Sequence, residues 1–394
     1  MTPICTAPFH GILIETDKTV KPCCAWQGDP LGNLKFQNIN EIRNGEKLKN
    51  IQKEMLLGKW PTGCKACEHS EKLNNISSKN SLFDKIIPYS ENNKLTQLEF
   101  NSSNLCNLVC SGCSPSWSSS WVNFQNKHKL LHGVHRKPEW ILHSPKPQSV
   151  KNLFDSIDLS NLIHITLKGG EPFLNNDNIE LLDMLDSMGI LGNIDLLITT
   201  NGCFAPSKFL NLLNKAKSVA IMISIDGIGE LNQYIRFDPI NLESSHTDNI
   251  KNNIFKFIQN ISRTRLHINM FPTVQVHNAW NLKEISDWWT NEIMPINKQV
   301  IYQEARFVYH MEYPFGLQHL SDATRFKLAD YYESLNYTNL KHIITVFRKI
   351  EYIGDDLHNQ MVNYHNSIDI HKFKRFIDIV PNAKKELILF PISK

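Results

Sequence analysis

The chain has 394 residues, with 42 Lys and Arg against 39 Asp and Glu, a formal charge of +3 and a hydrophobic content of 41%. This length predicts two or three domains, and the apolar fraction is that of a packed protein rather than a disordered one. The nearly balanced charge argues against a dedicated nucleic-acid coat, and no apolar run reaches the ~18 residues of a membrane helix. No secretory signal is recognisable at the N-terminus, so we expect a cytoplasmic protein.

Residues 1–80 are predicted to form a small, irregular module. Two short apolar segments, 12–14 and 20–22, flank a turn and predict a hairpin. Apolar residues at helical spacing over 48–55 predict a helix. A polar stretch rich in Asn, Ser and Lys follows, and we place a linker at 81–94.

From residue 95 to 310 strand patterns alternate with helix patterns. Strands are predicted at 95–101, 163–168, 194–200, 219–225, 265–272 and 299–307, and helices at 179–188, 206–216, 249–261 and 282–289. This alternation predicts an α/β domain with parallel strands. The strand segments are nearly continuous apolar runs, which predicts that both faces of the sheet are covered. Residues 311–394 are predicted to be a mainly helical extension, and we recognise no motif in them.

Eight of the nine cysteines lie within the first 113 residues. In a reducing cytosol, clustered cysteines more often hold metal or take part in chemistry than form disulfides. Cys106, Cys110 and Cys113 directly follow the first predicted strand of the α/β domain. Three thiolates on one loop are able to converge on one metal centre, and they leave one iron of a cubane cluster open. Structural zinc sites usually take four ligands, whereas iron–sulfur clusters take thiolates, so a zinc site remains the alternative.

The second predicted strand ends in the sequence Lys168-Gly169-Gly170-Glu171-Pro172. Glycines allow a backbone to approach a ligand closely, and a carboxylate is able to bind an ammonium group. In parallel α/β folds ligands bind at the carboxyl ends of strands, where both this segment and the cysteine loop fall. Taken alone, the segment would be an ordinary turn.

Together, the Cys-x3-Cys-x2-Cys loop and the Gly-Gly-Glu-Pro segment resemble the two signatures of the radical S-adenosylmethionine superfamily, over roughly residues 95–310. The resemblance implies a partial (β/α)6 barrel and a [4Fe–4S] cluster whose open iron is chelated by S-adenosylmethionine. It also implies reductive cleavage of that cofactor to a 5′-deoxyadenosyl radical, with electrons from a flavodoxin- or ferredoxin-type protein. The family usually has a bulky residue before the third cysteine; here it is Gly112, which weakens the inferred adenine contact but not the cluster.

The same resemblance implies further contacts to the cofactor. Gly169, Gly170, Glu171 and Pro172 match the segment that binds the methionine amino group. Thr200, Asn201 and Ser224, at the ends of later strands, resemble positions near the ribose and carboxylate, and Arg236 is a candidate partner for that carboxylate. The alternative for the polar residues is an ordinary turn or helix cap.

A second set of cysteines lies in the N-terminal module: Cys5, Cys23, Cys24, Cys64 and Cys67. The predicted hairpin would bring Cys5 near Cys23 or Cys24, and the helix would return the chain to the last two. By count alone, zinc and an iron–sulfur cluster fit equally well.

The segments around these cysteines resemble the SPASM/twitch auxiliary-cluster module, although that module usually follows the barrel and here precedes it. The resemblance rests on Cys5-x2-Pro8-Phe9, Lys21-Pro22-Cys23-Cys24, Leu31-Gly32-Asn33-Leu34, Ile39-Asn40-Glu41-Ile42 and Cys64-x2-Cys67. It implies a second [4Fe–4S] cluster, used for electron transfer or structural support. Cys23 is slightly favoured over Cys24 as the ligand, and the choice stays open.

The sequence thus predicts a radical S-adenosylmethionine enzyme with an auxiliary cluster, and by analogy a peptide or protein substrate. One alternative is the same chemistry on a small molecule such as a sugar, nucleoside or cofactor precursor. The other is a non-enzymatic zinc or iron–sulfur scaffold.

Overall fold

The computed structural model describes residues 3–74, 77, 79, 94–128, 150–241, 246–262, 265–297, 301–303, 308–309, 315–369, 371–372, 376–380 and 383. These residues form a mixed α/β protein. None of the helices in these ranges is long and apolar enough to cross a membrane. Apart from Lys94, the predicted linker at 81–94 lies outside the described residues.

The described strands are short. They are β1 Gly11–Ile14, β2 Thr19–Lys21, β3 Gly32–Asn33, β4 Gln97–Asn101, β5 Val109–Cys110, β6 His164–Lys168, β7 Asp195–Thr200, β8 Ser218–Ile223, β9 Arg236–Phe237, β10 Leu266–Met270, β11 Thr273–Val274, β12 Ile301–Gln303 and β13 Val308–Tyr309. All six strands predicted beyond residue 95 are present, and the predicted N-terminal hairpin corresponds to β1 and β2.

The described helices connect and flank these strands. They are α1 Ala7–His10, α2 Ile39–Arg43, α3 Glu46–Leu56, α4 Lys65–Asn74, α5 Ser119–His128, α6 Val150–Phe154, α7 Asn176–Ser187, α8 Ser207–Leu213, α9 Glu230–Ile235, α10 His246–Asn260, α11 Leu282–Trp288, α12 Asp322–Ser334, α13 Lys341–Lys349, α14 Asp355–Asp369 and α15 Phe376–Ile379. The last four lie in the C-terminal extension, and the described residues of that extension, 315–369, 371–372, 376–380 and 383, are mainly helical.

The chain divides into two compact units. The first unit comprises residues 1–105, 143–199 and 206–220, and the second comprises 106–142, 200–205 and 221–394. β8 starts in the first unit and ends in the second.

In the first unit the strand order is β8-β7-β6-β4-β1-β2-β3. β4, β6 and β7 are parallel, and β1 pairs in parallel with β4, with Leu13 opposite Glu99. β1 also pairs with β2 in the predicted antiparallel hairpin. Every residue of β1 is buried. The N-terminal hairpin therefore extends the parallel sheet, an arrangement that the sequence pattern did not predict.

The faces of β4 and β6 differ from the sequence-based expectation. Apolar side chains alternate with polar ones along both strands, so the expected continuous apolar runs are wrong here. On the apolar face, Phe100 contacts Phe154 of α6 edge to face, with ring centroids 5.9 Å apart. On the polar face, Lys168 Nζ donates to Glu99 Oε1 at 3.0 Å. Helices therefore cover one face, while the other presents hydrogen-bonding and charged groups.

In the second unit β10 pairs in parallel with β12, and β5 pairs antiparallel with β9. A compact apolar cluster packs against the segment that carries β5. Its buried members are Val109, Trp121, Phe124, Phe237 and Ile368, and Cys113 packs against them. The predicted cysteine loop thus lies on an apolar core to which the C-terminal helix α14 contributes.

Candidate functional site

Four of the five N-terminal cysteines line a single cavity in the first unit. Cys5 precedes α1, Cys23 follows β2, and Cys64 and Cys67 lie at the start of α4. Apolar side chains complete most of the wall, and they include Trp26, Trp60 and Met55; the cation Lys79 also lies there. The three chain segments named in the sequence analysis therefore meet at one place.

The approach to Cys64 requires a residue without a side chain. Gly63 is buried, and a Cβ atom added to it would lie 2.5 Å from the Trp26 ring. Gln27 N also donates to the Gly63 carbonyl at 2.9 Å, which joins the segment after Cys23 to the one before Cys64. Close packing at this glycine therefore holds two of the cysteine-bearing segments together.

Cys23 and Cys24 face different surroundings. Burial raises the pKa of the Cys23 thiol well above its usual range, and the neighbouring thiols Cys24, Cys5 and Cys64 raise it further. Burial and the nearby Glu99 carboxylate instead raise the pKa of the Cys24 thiol to about 12, and Cys24 does not line the cavity. The structure thus groups Cys23, not Cys24, with the other three cysteines.

The donor set of this cavity suits a thiolate-bound group. In the part of the chain that the structure describes, no three His, Cys, Asp or Glu side chains lie close enough together to hold a single metal ion. The four thiols instead surround a cavity. Burial raises the pKa of Cys64 to about 12, so this thiol needs a strong cationic partner to become the thiolate that binds metal. The residues present therefore fit a cluster held by Cys5, Cys23, Cys64 and Cys67.

The three-cysteine loop of the second unit is fixed mainly through its backbone. β5 pairs with β9 so that Cys110 lies opposite Arg236. Trp121 Nε1 donates to the Cys110 carbonyl at 2.8 Å. The hydroxyls of Ser119 and Ser120, in the first turn of α5, donate to the Cys106 carbonyl at 3.2 and 2.8 Å. These contacts are made by the backbone of the loop and not by its thiol groups.

Charged groups surround this loop. Arg236 forms a buried ion pair with Asp226 at 2.8 Å, and its Nη1 lies 4.0 Å from Cys110 Sγ. Burial raises the pKa of Cys113 to about 12, and it also raises the pKa of Cys110, against the opposing effect of Arg236. As in the N-terminal cavity, thiolate formation here requires a cation, and an iron–sulfur cluster supplies one.

The Gly-Gly-Glu-Pro segment lies against the backbone that leads to Cys106. Gly170 N donates to the Ser103 carbonyl at 2.9 Å, and Glu171 N donates to the Leu105 carbonyl at 2.7 Å. A Cβ atom on Gly170 would lie 2.2 Å from the Leu105 carbonyl oxygen. Gly169 adopts a φ of +114°, a backbone conformation that favours glycine. Both glycines are therefore required by backbone geometry, independently of any cofactor.

Glu171 is almost completely buried, with a relative exposure of 1%. Its Oε1 accepts a hydrogen bond from Phe173 N at 3.1 Å, so it caps the short 3-10 turn that Pro172 begins. The ordinary turn that the sequence analysis gave as the alternative for this segment is thus present. A cap by one oxygen is compatible with a role for the carboxylate in binding an ammonium group.

The other predicted contacts lie in the second unit. Asn201 Nδ2 donates to Asn107 Oδ1 at 2.9 Å, inside the three-cysteine loop. Ser224 N donates to the Thr200 carbonyl at 2.8 Å, and Thr200 Oγ1 accepts from Gly202 N at 3.0 Å. Asn201 and Arg236 therefore contact the cysteine loop directly, while Thr200 and Ser224 support the end of β7.

Sequence reasoning missed three contributors to this loop. Asn107, between the first two cysteines, also donates to Asp238 at 3.3 Å. Lys372, in the C-terminal extension, reaches Ser111. Ser118 Oγ donates to the Leu108 carbonyl at 2.6 Å. The run of serines after Cys113 was a visible signal, because hydroxyls at a helix start commonly bond to nearby backbone; nothing marked Lys372.

Residues 5–68 match the family model described as SPASM, an iron–sulfur cluster-binding domain. This match covers the five N-terminal cysteines and confirms the iron–sulfur module predicted there. The comparison with curated proteins returned no match.

Several solved structures resemble the chain at low identity. A structure described as native anSMEcpe with bound AdoMet has 15% identity and a TM-score of 0.39, covering 61% of this chain and 59% of its own length. Streptococcus suis SuiB bound to S-adenosylmethionine has 17% identity and a TM-score of 0.36, covering 75% and 61%. The same protein bound to its precursor peptide SuiA has 17% identity and a TM-score of 0.35, covering 86% and 70%. The chain thus spans about 60% of the length of the first two.

Proposed function

We propose that this chain is a radical S-adenosylmethionine enzyme with an auxiliary iron–sulfur cluster in its N-terminal module. The [4Fe–4S] cluster would supply the electron that cleaves the cofactor to a 5′-deoxyadenosyl radical, which abstracts a hydrogen from substrate. The arrangement proposed for residues 95–310 is a partial (β/α)6 barrel, with residues 1–80 as the auxiliary module and 311–394 as a helical extension. A flavodoxin- or ferredoxin-type protein is the proposed source of electrons.

The observation that carries this proposal is the three-cysteine loop. Its backbone is held by β9, Trp121 and the serines of α5. The loop itself offers three thiol ligands rather than four. Three protein ligands leave one iron of a cubane cluster for another molecule, whereas four would close it. A loop built in this way is suited to binding a cofactor on the cluster.

The residues proposed to contact the cofactor follow from the motif resemblance. Glu171 would take the ammonium group of the methionine part, since a buried carboxylate is a strong acceptor for a cation. The glycines before it keep the backbone close to residues 103–105. Asn201 and Arg236 contact the cysteine loop, and Thr200 and Ser224 support the end of β7.

We propose a peptide or protein as the substrate. The support is the resemblance to the SPASM family, whose members act largely on peptides; residues 5–68 match the model of that family. The alternative of a small-molecule substrate, such as a sugar, nucleoside or cofactor precursor, uses the same chemistry. The alternative of a non-enzymatic zinc scaffold is disfavoured by the match of residues 5–68 to an iron–sulfur domain.

The test is anaerobic preparation and reconstitution. The unmodified chain should carry about eight irons, four for each cubane cluster. After reduction it should convert S-adenosylmethionine into 5′-deoxyadenosine and methionine. The triple variant with Cys106, Cys110 and Cys113 changed to Ala should lose about half the iron and all cleavage. Stoichiometric zinc without iron, or cleavage that survives in the triple variant, would refute the proposal.

A second variant tests the role of Glu171. In Glu171→Gln the side chain still caps the turn of residues 172–174 but loses the negative charge that binds an ammonium group. Weaker binding of S-adenosylmethionine with unchanged thermal stability is the expected result. Equal affinity in the two proteins would mean that this carboxylate is only a cap.

A further inference from the structure

The C-terminal extension brings a lysine to the three-cysteine loop. Lys372 lies three residues beyond the end of α14. Its Nζ donates to Ser111 Oγ at 3.0 Å and to the Tyr234 carbonyl at 2.8 Å. The same nitrogen lies 3.9 Å from the centroid of the Tyr234 ring. Ser111 directly follows Cys110, so one ammonium group joins the cysteine loop to the end of α9.

A carboxylate holds this lysine segment in place. Tyr234 Oη donates to Asp369 Oδ1 at 2.5 Å, and Phe376 N donates to Asp369 Oδ2 at 3.0 Å. Asp369 is the last residue of α14 and is buried. One carboxylate oxygen thus accepts from Tyr234, which precedes Lys372 in the chain, and the other accepts from Phe376, which follows it. These contacts fix the backbone on either side of Lys372, so the fold of the extension determines where its ammonium group lies.

The contacts of Lys372 suit its ammonium form, although burial lowers the pKa of this group to about 8. A carbonyl oxygen and the face of a tyrosine ring accept from a cation but donate nothing to it. Arg236 is a second cation at the same loop, 4.0 Å from Cys110 Sγ. Two cations, Arg236 and Lys372, therefore lie close to Cys110. The hydrogen bonds to the backbone already hold the loop, so these charges have another role.

A cluster bound by thiolates becomes more negative when it is reduced by one electron. Its reduction potential depends on nearby charge and on hydrogen bonds around the ligands. A fixed cation therefore stabilises the reduced state more than the oxidised state. We propose that Lys372 is a positioning residue for the cluster at Cys106, Cys110 and Cys113, where it holds Ser111 and raises the cluster's reduction potential. This inference rests on the proposed function.

The test is a redox titration of the full chain followed by electron paramagnetic resonance. In Lys372→Met the side chain keeps a similar length but loses its charge, so the midpoint potential of this cluster should shift to a more negative value. In Lys372→Arg the charge remains, and most of the shift should be absent. Lys349→Met, an exposed lysine in the same extension, is the matched control and should not change the potential.

Asp369→Asn leaves the lysine unchanged, and it should shift the midpoint potential in the opposite direction. It removes the negative charge beside the ammonium group, so the midpoint potential should become more positive. If Lys372→Met loses the cluster while Lys372→Arg keeps it, the positioning role is supported directly. An unchanged potential in Lys372→Met, with full iron content, would overturn the inference.

The failure of this inference differs from a failure of the proposed function. If the unmodified chain binds no iron at these cysteines or does not cleave S-adenosylmethionine, the proposed function is wrong. If the unmodified chain does both and its potential is insensitive to Lys372, only the assignment of Lys372 is wrong.

Discussion

The two groups of cysteines differ in what surrounds their sulfur atoms. In the N-terminal cavity four thiols face mainly apolar walls, and Lys79 forms an ion pair there with Glu71 at 3.5 Å. In the second unit three thiols share a loop with Arg236 and Lys372 close by. A complete set of thiolates among apolar side chains suits structural support or electron transfer. An incomplete set beside cations suits a site at which another molecule binds and charge changes.

The way each group is held also differs. The N-terminal cysteines come from three separate segments that meet around a cavity. Packing at Gly63 joins two of these segments, and a bound group would connect all three. The three-cysteine loop is held by strand pairing, an indole hydrogen bond and serine hydroxyls within one stretch. We therefore expect metal to stabilise the N-terminal module more than it stabilises the loop.

The largest difference should appear when Cys64 and Cys67 are both replaced by Ala. The protein should lose about four of its eight irons and still cleave S-adenosylmethionine, because the other cluster has its own ligands. Metal binding is coupled to folding where the ligands come from separate segments, so proteolysis should become faster within residues 15–68. β1 should stay protected, since it pairs with β4.

Cys203→Ala is the control for the double variant, because Cys203 belongs to neither predicted set of ligands and its removal should leave the iron content at about eight. Unchanged protease resistance in the double variant would mean that metal does not stabilise the module. Full turnover of the true substrate by the double variant would mean that the auxiliary cluster is not needed for the reaction.

A smaller effect should separate two adjacent residues. Cys23→Ala removes a thiol that lines the N-terminal cavity, so it should lower the iron content of that cluster. Cys24→Ala removes a thiol that does not line the cavity, and the iron content should stay at that of the unmodified chain. Iron analysis and the absorbance of the cluster measure both. The reverse pattern would show that Cys24 is the ligand.

The packing of the backbone beside the three-cysteine loop can be tested without replacing a cysteine. In Gly170→Ala the new Cβ would meet the carbonyl oxygen of Leu105, the residue that directly precedes Cys106. Such overpacking typically costs about 1–3 kcal/mol, so the free energy of unfolding in denaturant should fall by that amount. Gly192→Ala, whose nearest neighbour atom is 3.8 Å away, should change it by about 0.5 kcal/mol or less.

The smallest effect should come from the indole that supports the loop. Trp121→Phe removes the hydrogen bond to the Cys110 carbonyl, and a lost hydrogen bond of this kind costs about 1 kcal/mol. Thermal unfolding should show this loss, with the iron content unchanged. Trp117→Phe, at a partly exposed tryptophan four residues earlier, is the comparison and should have a smaller effect. Equal losses would mean that the indole does not support the loop.

Sequence patterns located most elements of the fold because local periodicity governs them. The alternation of strands and helices from residue 95, the N-terminal hairpin and the helical C-terminal extension are all observed. The spacing of Cys106, Cys110 and Cys113 and the SPASM-like segments identified both cysteine groups, since ligand spacing is a property of the chain itself. The alternating polar and apolar residues of β4 were overlooked in favour of a continuous apolar run.

Only the tertiary structure distinguished neighbours that the sequence presents as equal. Cys23 and Cys24 are adjacent and identical, and their difference depends on which way each faces as the chain leaves β2. The parallel pairing of β1 with β4, across more than 80 residues, and the contact of Lys372 with Ser111, across 261 residues, have no local signal. Local patterns encode elements and spacings, whereas contacts between distant segments depend on how the whole unit packs.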